Sequence, residues 1–155
     1  MKTRVFSIIV CTLLLIVSGC GRPVKEEPKS IIGSTEQPSW TAPMDYDMTS
    51  SMTAIVKIDL SGVYTSEQLS AAKYELTDGD LVAAFAGNEC LGVAELQDGL
   101  YYLYICAPTS EQDVTIHYYS KVLKTIFRSA PFAFADGGHL GSIASPYTPT
   151  FTPAN

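Results

Sequence analysis

Period-two alternation constrains this chain more than any other feature. In the run Met52-Thr53-Ala54-Ile55-Val56-Lys57-Ile58-Asp59-Leu60, the residues Met52, Ala54, Val56, Ile58 and Leu60 fall on one side, with Thr53, Lys57 and Asp59 opposite. A helix would scatter those apolar residues around its circumference, whereas a half-buried strand gathers them on one face. Asp80 to Ala86, Glu89 to Leu96, Leu100 to Ala107, Asp113 to Ser120, Lys121 to Phe127 and Phe132 to Ala135 read as further short strands. Gly87-Asn88, Asp98-Gly99 and Asp136-Gly137-Gly138 punctuate them as turns. About seven strands in roughly one domain's length of chain, with nine Pro, eleven Gly and nine Tyr, predict an all-β sandwich.

One stretch breaks the period. Thr65 to Leu76 places Leu69, Ala72 and Leu76 at helical spacing, and Thr65 with Gln68 can form a capping box. A single helix of two to three turns is expected there. The last segment, Ser145 to Asn155, alternates Pro146, Pro149 and Pro153 with Thr and aromatics, and reads as an edge strand or an extended tail.

The N-terminus reads as an address. Met1 to Arg4 is basic, and Val5 to Val17 is an apolar run of the length of a signal-peptide core, too short to span a bilayer. It ends in Val17-Ser18-Gly19-Cys20, which resembles a bacterial lipobox, so residues 1–19 are expected to be removed and Cys20 to carry acyl chains. That lipid would be the chain's partner at the membrane. Cleavage would remove Lys2 and Arg4 and no acid, taking the net charge from −6 to −8. Such a body is a poor match for nucleic acid or anionic headgroups, which call for clustered Lys and Arg. Residues 20–39 hold Pro23, Pro28, Pro38 and Lys25-Glu26-Glu27, and read as an extended, solvated tether before a domain over 40–155. The acidic run close behind Cys20 resembles the export signals of surface lipoproteins. The expectation is an outer-membrane lipoprotein facing outward, with the periplasmic face as the alternative.

Cys11 leaves with the signal and Cys20 is lipidated, leaving Cys90 and Cys106 on either side of the Asp98-Gly99 hairpin. A two-residue loop sets Cys106 opposite Leu91. A three-residue loop, Gln97-Asp98-Gly99, sets it opposite Cys90 and pairs Leu91 with Ile105 and Val93 with Leu103. The second register keeps one continuous apolar face and is favoured, with Cys90 and Cys106 as candidates for a cross-strand disulfide or as two separate thiols. It also lays Tyr102 and Tyr104 beside Ala94 and Gly92, leaving ring faces open as stacking on a sugar requires. Trp40, Tyr46, Tyr119 and Tyr147 are candidates to extend that platform, with plain packing as the bland reading.

The segment Asp78-Gly79-Asp80-Leu81-Val82-Ala83-Ala84-Phe85-Ala86-Gly87-Asn88-Glu89-Cys90-Leu91-Gly92-Val93-Ala94 resembles a recurring module of bacterial surface proteins, with its Ala-Phe-x-Gly-x-Glu-Cys-x-Gly string. Ser51 to Val56 before it and Val114 to Ser120 after it fit the same layout, so the resemblance covers about Trp40 to Phe151. It implies an immunoglobulin-like sandwich and carries no activity to transfer. Leu91 stands where the pattern often has Arg, and Cys106 lies outside the pattern.

Catalytic and metal signatures are sparse. His117 and His139 are isolated and read as surface residues, without zinc spacing. Ser70-Ala71-Ala72-Lys73 matches Ser-x-x-Lys without the motifs that accompany it in penicillin-binding enzymes. Asp45 with Asp47, and Asp78 with Asp80 near Asn88-Glu89, gather acids but match no calcium loop. No metal or cofactor is expected. The function that follows is a non-catalytic surface binding module, in its most concrete form for glycans. The alternative is a structural component that docks to a larger surface-protein assembly.

Overall fold

The alternation at Met52–Leu60 does form a strand, though a shorter one. The computed structural model describes residues 29–42, 49–107 and 112–154, so Cys20, Asp45, Tyr46 and Asp47 lie outside the described residues. β1 (Ser50–Val56) pairs antiparallel with β5 (Leu100–Ala107). The register sets Met52 opposite Ile105, Ala54 opposite Leu103 and Val56 opposite Tyr101, all buried. Ile58 and Leu60 keep the inward phase past the end of the ladder.

Two sheets face each other across this core. One has the order β4-β5-β1-β9, with β4 (Glu95–Gln97) and β9 (His139–Leu140). The other runs β10-β7-β6-β2-β3, with β2 (Leu81–Ala86), β3 (Glu89–Val93), β6 (Asp113–Ser120), β7 (Thr125–Ser129) and β10 (Phe151–Pro153). β8 (Phe132–Ala133) pairs with the start of β6. Val82, Ala84, Ile116, Tyr118 and Phe127 supply the second sheet's inner face. The protein is an all-β sandwich, with α1 (Ser66–Ala71) as its short helix.

The helix carries the expected capping box: the Gln68 amide donates to Thr65 Oγ1 at 3.3 Å, and the Thr65 amide donates to Gln68 Oε1 at 3.0 Å. It has six residues, fewer than two turns, because Lys73 turns left-handed (φ 52°) and the Tyr74 amide bonds back to the Leu69 carbonyl. The strand expected over Lys121–Phe127 also starts late. Lys121 to Lys124 is the turn between β6 and β7, with Lys124 at φ 48°. The C-terminal segment supplies β10 at the edge of its sheet, paired with β7.

The largest departure is the run Glu89–Leu96. It is not one strand paired with β5 but two, in different sheets. β3 pairs with β2 across the Gly87-Asn88 turn, and β4 pairs with β5 across Asp98-Gly99. The crossing passes hard against β5: a Cβ on Gly92 would fall on the Tyr104 carbonyl oxygen. A strand that changes sheets at such a corner can serve both, which is one way sandwiches are closed. The hairpin loop has two residues, because Asp98 (φ 51°) and Gly99 (φ 78°) both adopt left-handed conformations, the geometry of a type I′ turn. The three-residue loop is therefore wrong, and with it the cross-strand thiol pair. Cys90 stands opposite Phe85, Cys106 stands opposite Ser51, and both thiols are free.

The presumed tether is a second surprise. From Ile31 to Trp40 the chain lies along the body and does not stand off it. The Gly33 amide donates to the Leu123 carbonyl at 2.7 Å, and the Thr35 amide to the Lys124 carbonyl at 2.9 Å. Trp40 then sets its edge on Phe85, covering the outer face of the β2–β6 pair.

Candidate functional site

The outer face of the β4-β5-β1-β9 sheet is the surface left open. Register builds it from two cross-strand rows. Glu95, Tyr102 and Ile55 stand side by side across β4, β5 and β1. Tyr104, Thr53 and His139 do the same across β5, β1 and β9. Thr53, Ile55, Tyr102 and Tyr104 share a face because each is offset by one from a buried core residue and side chains alternate along a strand, and Glu95 and His139 join them by pairing directly opposite Tyr102 and Thr53. Between the rows lies a cleft of about 420 Å³, floored by strand backbone and rimmed by Tyr102, Tyr104, Glu95, Thr53, Ile55 and Val93. That size is within the range of small-molecule sites.

Tyr104 is 59 % exposed, an unusual state for so large a side chain here, while Tyr102 is half-buried. Thr53 Oγ1 lies 2.6 Å from His139 Nδ1, so the row has a fixed polar end beside the Tyr104 ring. Chemically the cleft offers two aromatic rings for stacking, an exposed carboxylate and a hydroxyl held by an imidazole.

The expected platform is thus half assembled. Tyr102 and Tyr104 come together on one sheet. Trp40 and Tyr119 belong to the other sheet's outer face and do not join them. Tyr119 is buried, its hydroxyl donating to the Thr35 carbonyl at 3.4 Å. Trp40 packs edge-on against Phe85 at 5.5 Å and His117 at 6.1 Å. Tyr147 is half-buried against Phe132, and its backbone bonds to β1. Tyr46 lies outside the described residues.

His117 is the second correction of burial. It was expected on the surface, yet it is 8 % exposed and stacks on Phe85 at 4.2 Å. Burial pushes its pKa down to about 4, helped by the Arg128 guanidinium on the neighbouring strand. The reason is the Ile31–Trp40 segment, which covers a face that would otherwise be solvated.

A third polar cluster sits inside. The Asp80 carboxylate is buried and accepts from the Tyr118 hydroxyl (2.7 Å), the Lys121 amide (2.8 Å), and the Thr77 hydroxyl and amide (3.1 and 3.3 Å). Tyr74 reaches Tyr118 at 3.1 Å, and burial pushes the Tyr74 hydroxyl up to about 12. A carboxylate engaged by four donors, beside tyrosines that resist ionisation, braces the β6–β7 turn and leaves little capacity for ligand. Among the described residues, no three His, Cys, Asp or Glu side chains gather as a metal site. Burial also raises the Cys90 thiol, which makes it a poor nucleophile.

No family model, curated protein or solved structure matches this chain. The cleft must therefore be read from its own chemistry. Glu95, Thr53, Ile55 and His139 were missed as site residues by sequence reasoning. Thr53 and Ile55 had a signal in the alternation of β1. Glu95 had one in the two-residue Asp98-Gly99 loop, which sets it opposite Tyr102, and His139 had none, because its neighbour is set by a parallel pairing 86 residues away in sequence.

Proposed function

We propose that this protein is a non-catalytic binding module of the bacterial surface, held at the membrane by a lipid on Cys20, and that its four-stranded sheet captures glycans. The observation that carries this reading is the exposed Tyr104 beside the half-buried Tyr102 on the border of the cleft. Sugars present apolar ring faces edged with hydroxyls. This tyrosine pair with Glu95 and Thr53 beside it meets both, by stacking and by hydrogen bonds. The lipobox-like Val17-Ser18-Gly19-Cys20 and the Ala-Phe-x-Gly-x-Glu-Cys-x-Gly string support placement among surface lipoproteins with an immunoglobulin-like sandwich.

The alternative, a docking component of a surface-protein assembly, is favoured by one observation: Trp40 and Tyr119 stand apart from the tyrosine pair, so the aromatics do not converge on one face. A glycan array probed with the detergent-solubilised full-length chain separates the two. Binding that disappears in Tyr102→Ala/Tyr104→Ala supports capture on this sheet. An empty array, with the chain folded, refutes it and favours docking.

A further inference from the structure

We infer that the cleft selects saccharides bearing a free, protonated amine, that is, amino sugars, over neutral and acidic ones; this rests on the glycan reading above. The charged side chain on the cleft's rim is Glu95, and neither Lys nor Arg lines it. Glu95 is exposed on β4, directly opposite Tyr102. A sugar ring stacked on Tyr102 and Tyr104 therefore presents its substituents next to a carboxylate. An ammonium placed there gains twice, from the carboxylate and from the negative ring faces of the tyrosines. An N-acetyl group at the same position would offer an amide hydrogen bond without the charge. A carboxylated sugar would meet Glu95 with nothing basic in the lining to offset it. Lys57, the next outward residue beyond Ile55, adds a small pull on Asp59, whose carboxyl is held below its ordinary range chiefly by the Ser61 amide. The whole chain's net charge of −6 adds attraction for a polycation.

The test compares three tetrasaccharides by isothermal titration calorimetry with full-length protein in neutral detergent at pH 6 and low salt. These are glucosamine, N-acetylglucosamine and galacturonate oligomers. The glucosamine oligomer is expected to bind tightest, and the galacturonate oligomer not measurably. Glu95→Gln should lower affinity for the glucosamine oligomer by about fivefold, the difference between a charge-assisted and a neutral hydrogen bond. The same variant should cost the N-acetylated oligomer less, because its amide meets the carboxylate without a charge of its own. Tyr104→Ala should weaken both, which ties the charge preference to the stacking site. Equal binding of the amine and acetylated oligomers, or a preference that survives Glu95→Gln, overturns the amine selectivity while leaving glycan capture intact. Binding of none of the three, together with an empty glycan array, overturns both.

Discussion

His117 makes the fold sensitive to mild acid, and the size of the effect follows from its burial. In the unfolded chain the imidazole titrates near its ordinary 6.5, and in the fold near 4. Between those values the unfolded chain holds a proton that the folded chain does not. Stability is therefore full above 6.5, declines as the pH falls towards 4, and loses no more to this group below that. At about 1.4 kcal/mol per pKa unit the whole interval is worth at most about 3 kcal/mol, of which about 2 kcal/mol is lost by pH 5. Carboxylates held down in the fold, such as Asp59 through the Ser61 amide, act lower, since their contribution is present above the ordinary 3.8 and lost below it. A comparison of pH 7 with pH 5 thus stays above the range in which those carboxylates act. The assay is urea unfolding of the chain from Gly21 onward, followed by Trp40 fluorescence, the chain's single tryptophan. With a slope of roughly 1–3 kcal/mol per molar, the midpoint should fall by about 1 M between the two pH values. His117→Phe keeps the stack on Phe85 and removes the titration, so its midpoint should barely move. Equal shifts in both proteins would refute the assignment of the acid sensitivity to this ring.

Four further outcomes follow. Gly92→Ala sets a methyl group on the Tyr104 carbonyl oxygen, backbone that cannot swing away, and should destabilise by about 1–3 kcal/mol in the same urea assay; an unchanged midpoint would mean the sheet crossing is looser than drawn. Asp80→Ala removes the acceptor of the Lys121 amide and the Thr77 hydroxyl and leaves the Tyr118 hydroxyl with Tyr74 alone, and should destabilise by about 1–3 kcal/mol; a loss below about 1 kcal/mol would show that the brace is dispensable. The chain from Gly21 should give two reactive thiols once denatured, from Cys90 and Cys106, with no mass change on reduction; a mass 2 Da lower before reduction than after would reveal a disulfide, since its formation removes two hydrogen atoms. Cys20→Ala should release the protein from the membrane fraction, and unchanged partitioning would sink the anchor.

Local patterns were most legible where one strand is half-buried and its neighbours are near. The limits of β5 and β6 match the alternating runs Leu100–Ala107 and Asp113–Ser120, and the Thr65/Gln68 box marks the start of the helix. β9 was illegible, because its two residues become a strand only by lying parallel to Thr53 and Ala54. The hairpin register was misread for a related reason. The choice of the three-residue loop assumed that Glu89–Leu96 stays beside β5 throughout, so that a slip would scatter a whole face. Because the chain crosses over from the other sheet just before β4, only Glu95–Gln97 need match, and Asp98-Gly99 takes its preferred two-residue turn. The candidate site shows the same division. Tyr102 and Tyr104 were readable as neighbours on one face, Glu95 follows from the two-residue hairpin that was passed over, and His139 was brought to them by tertiary pairing.

By itself, the sequence determines which side chains share a face, where the chain turns and that the fold is all-β, because side-chain direction alternates locally and turn residues act within a few positions. Only the tertiary structure decides which of those faces meets water. Trp40 and its strap cover Phe85, His117 and Tyr119 on one sheet, while nothing among the described residues covers Tyr104 on the other. Burial on a second face is a long-range contact, and alternation carries no record of what will lie on top.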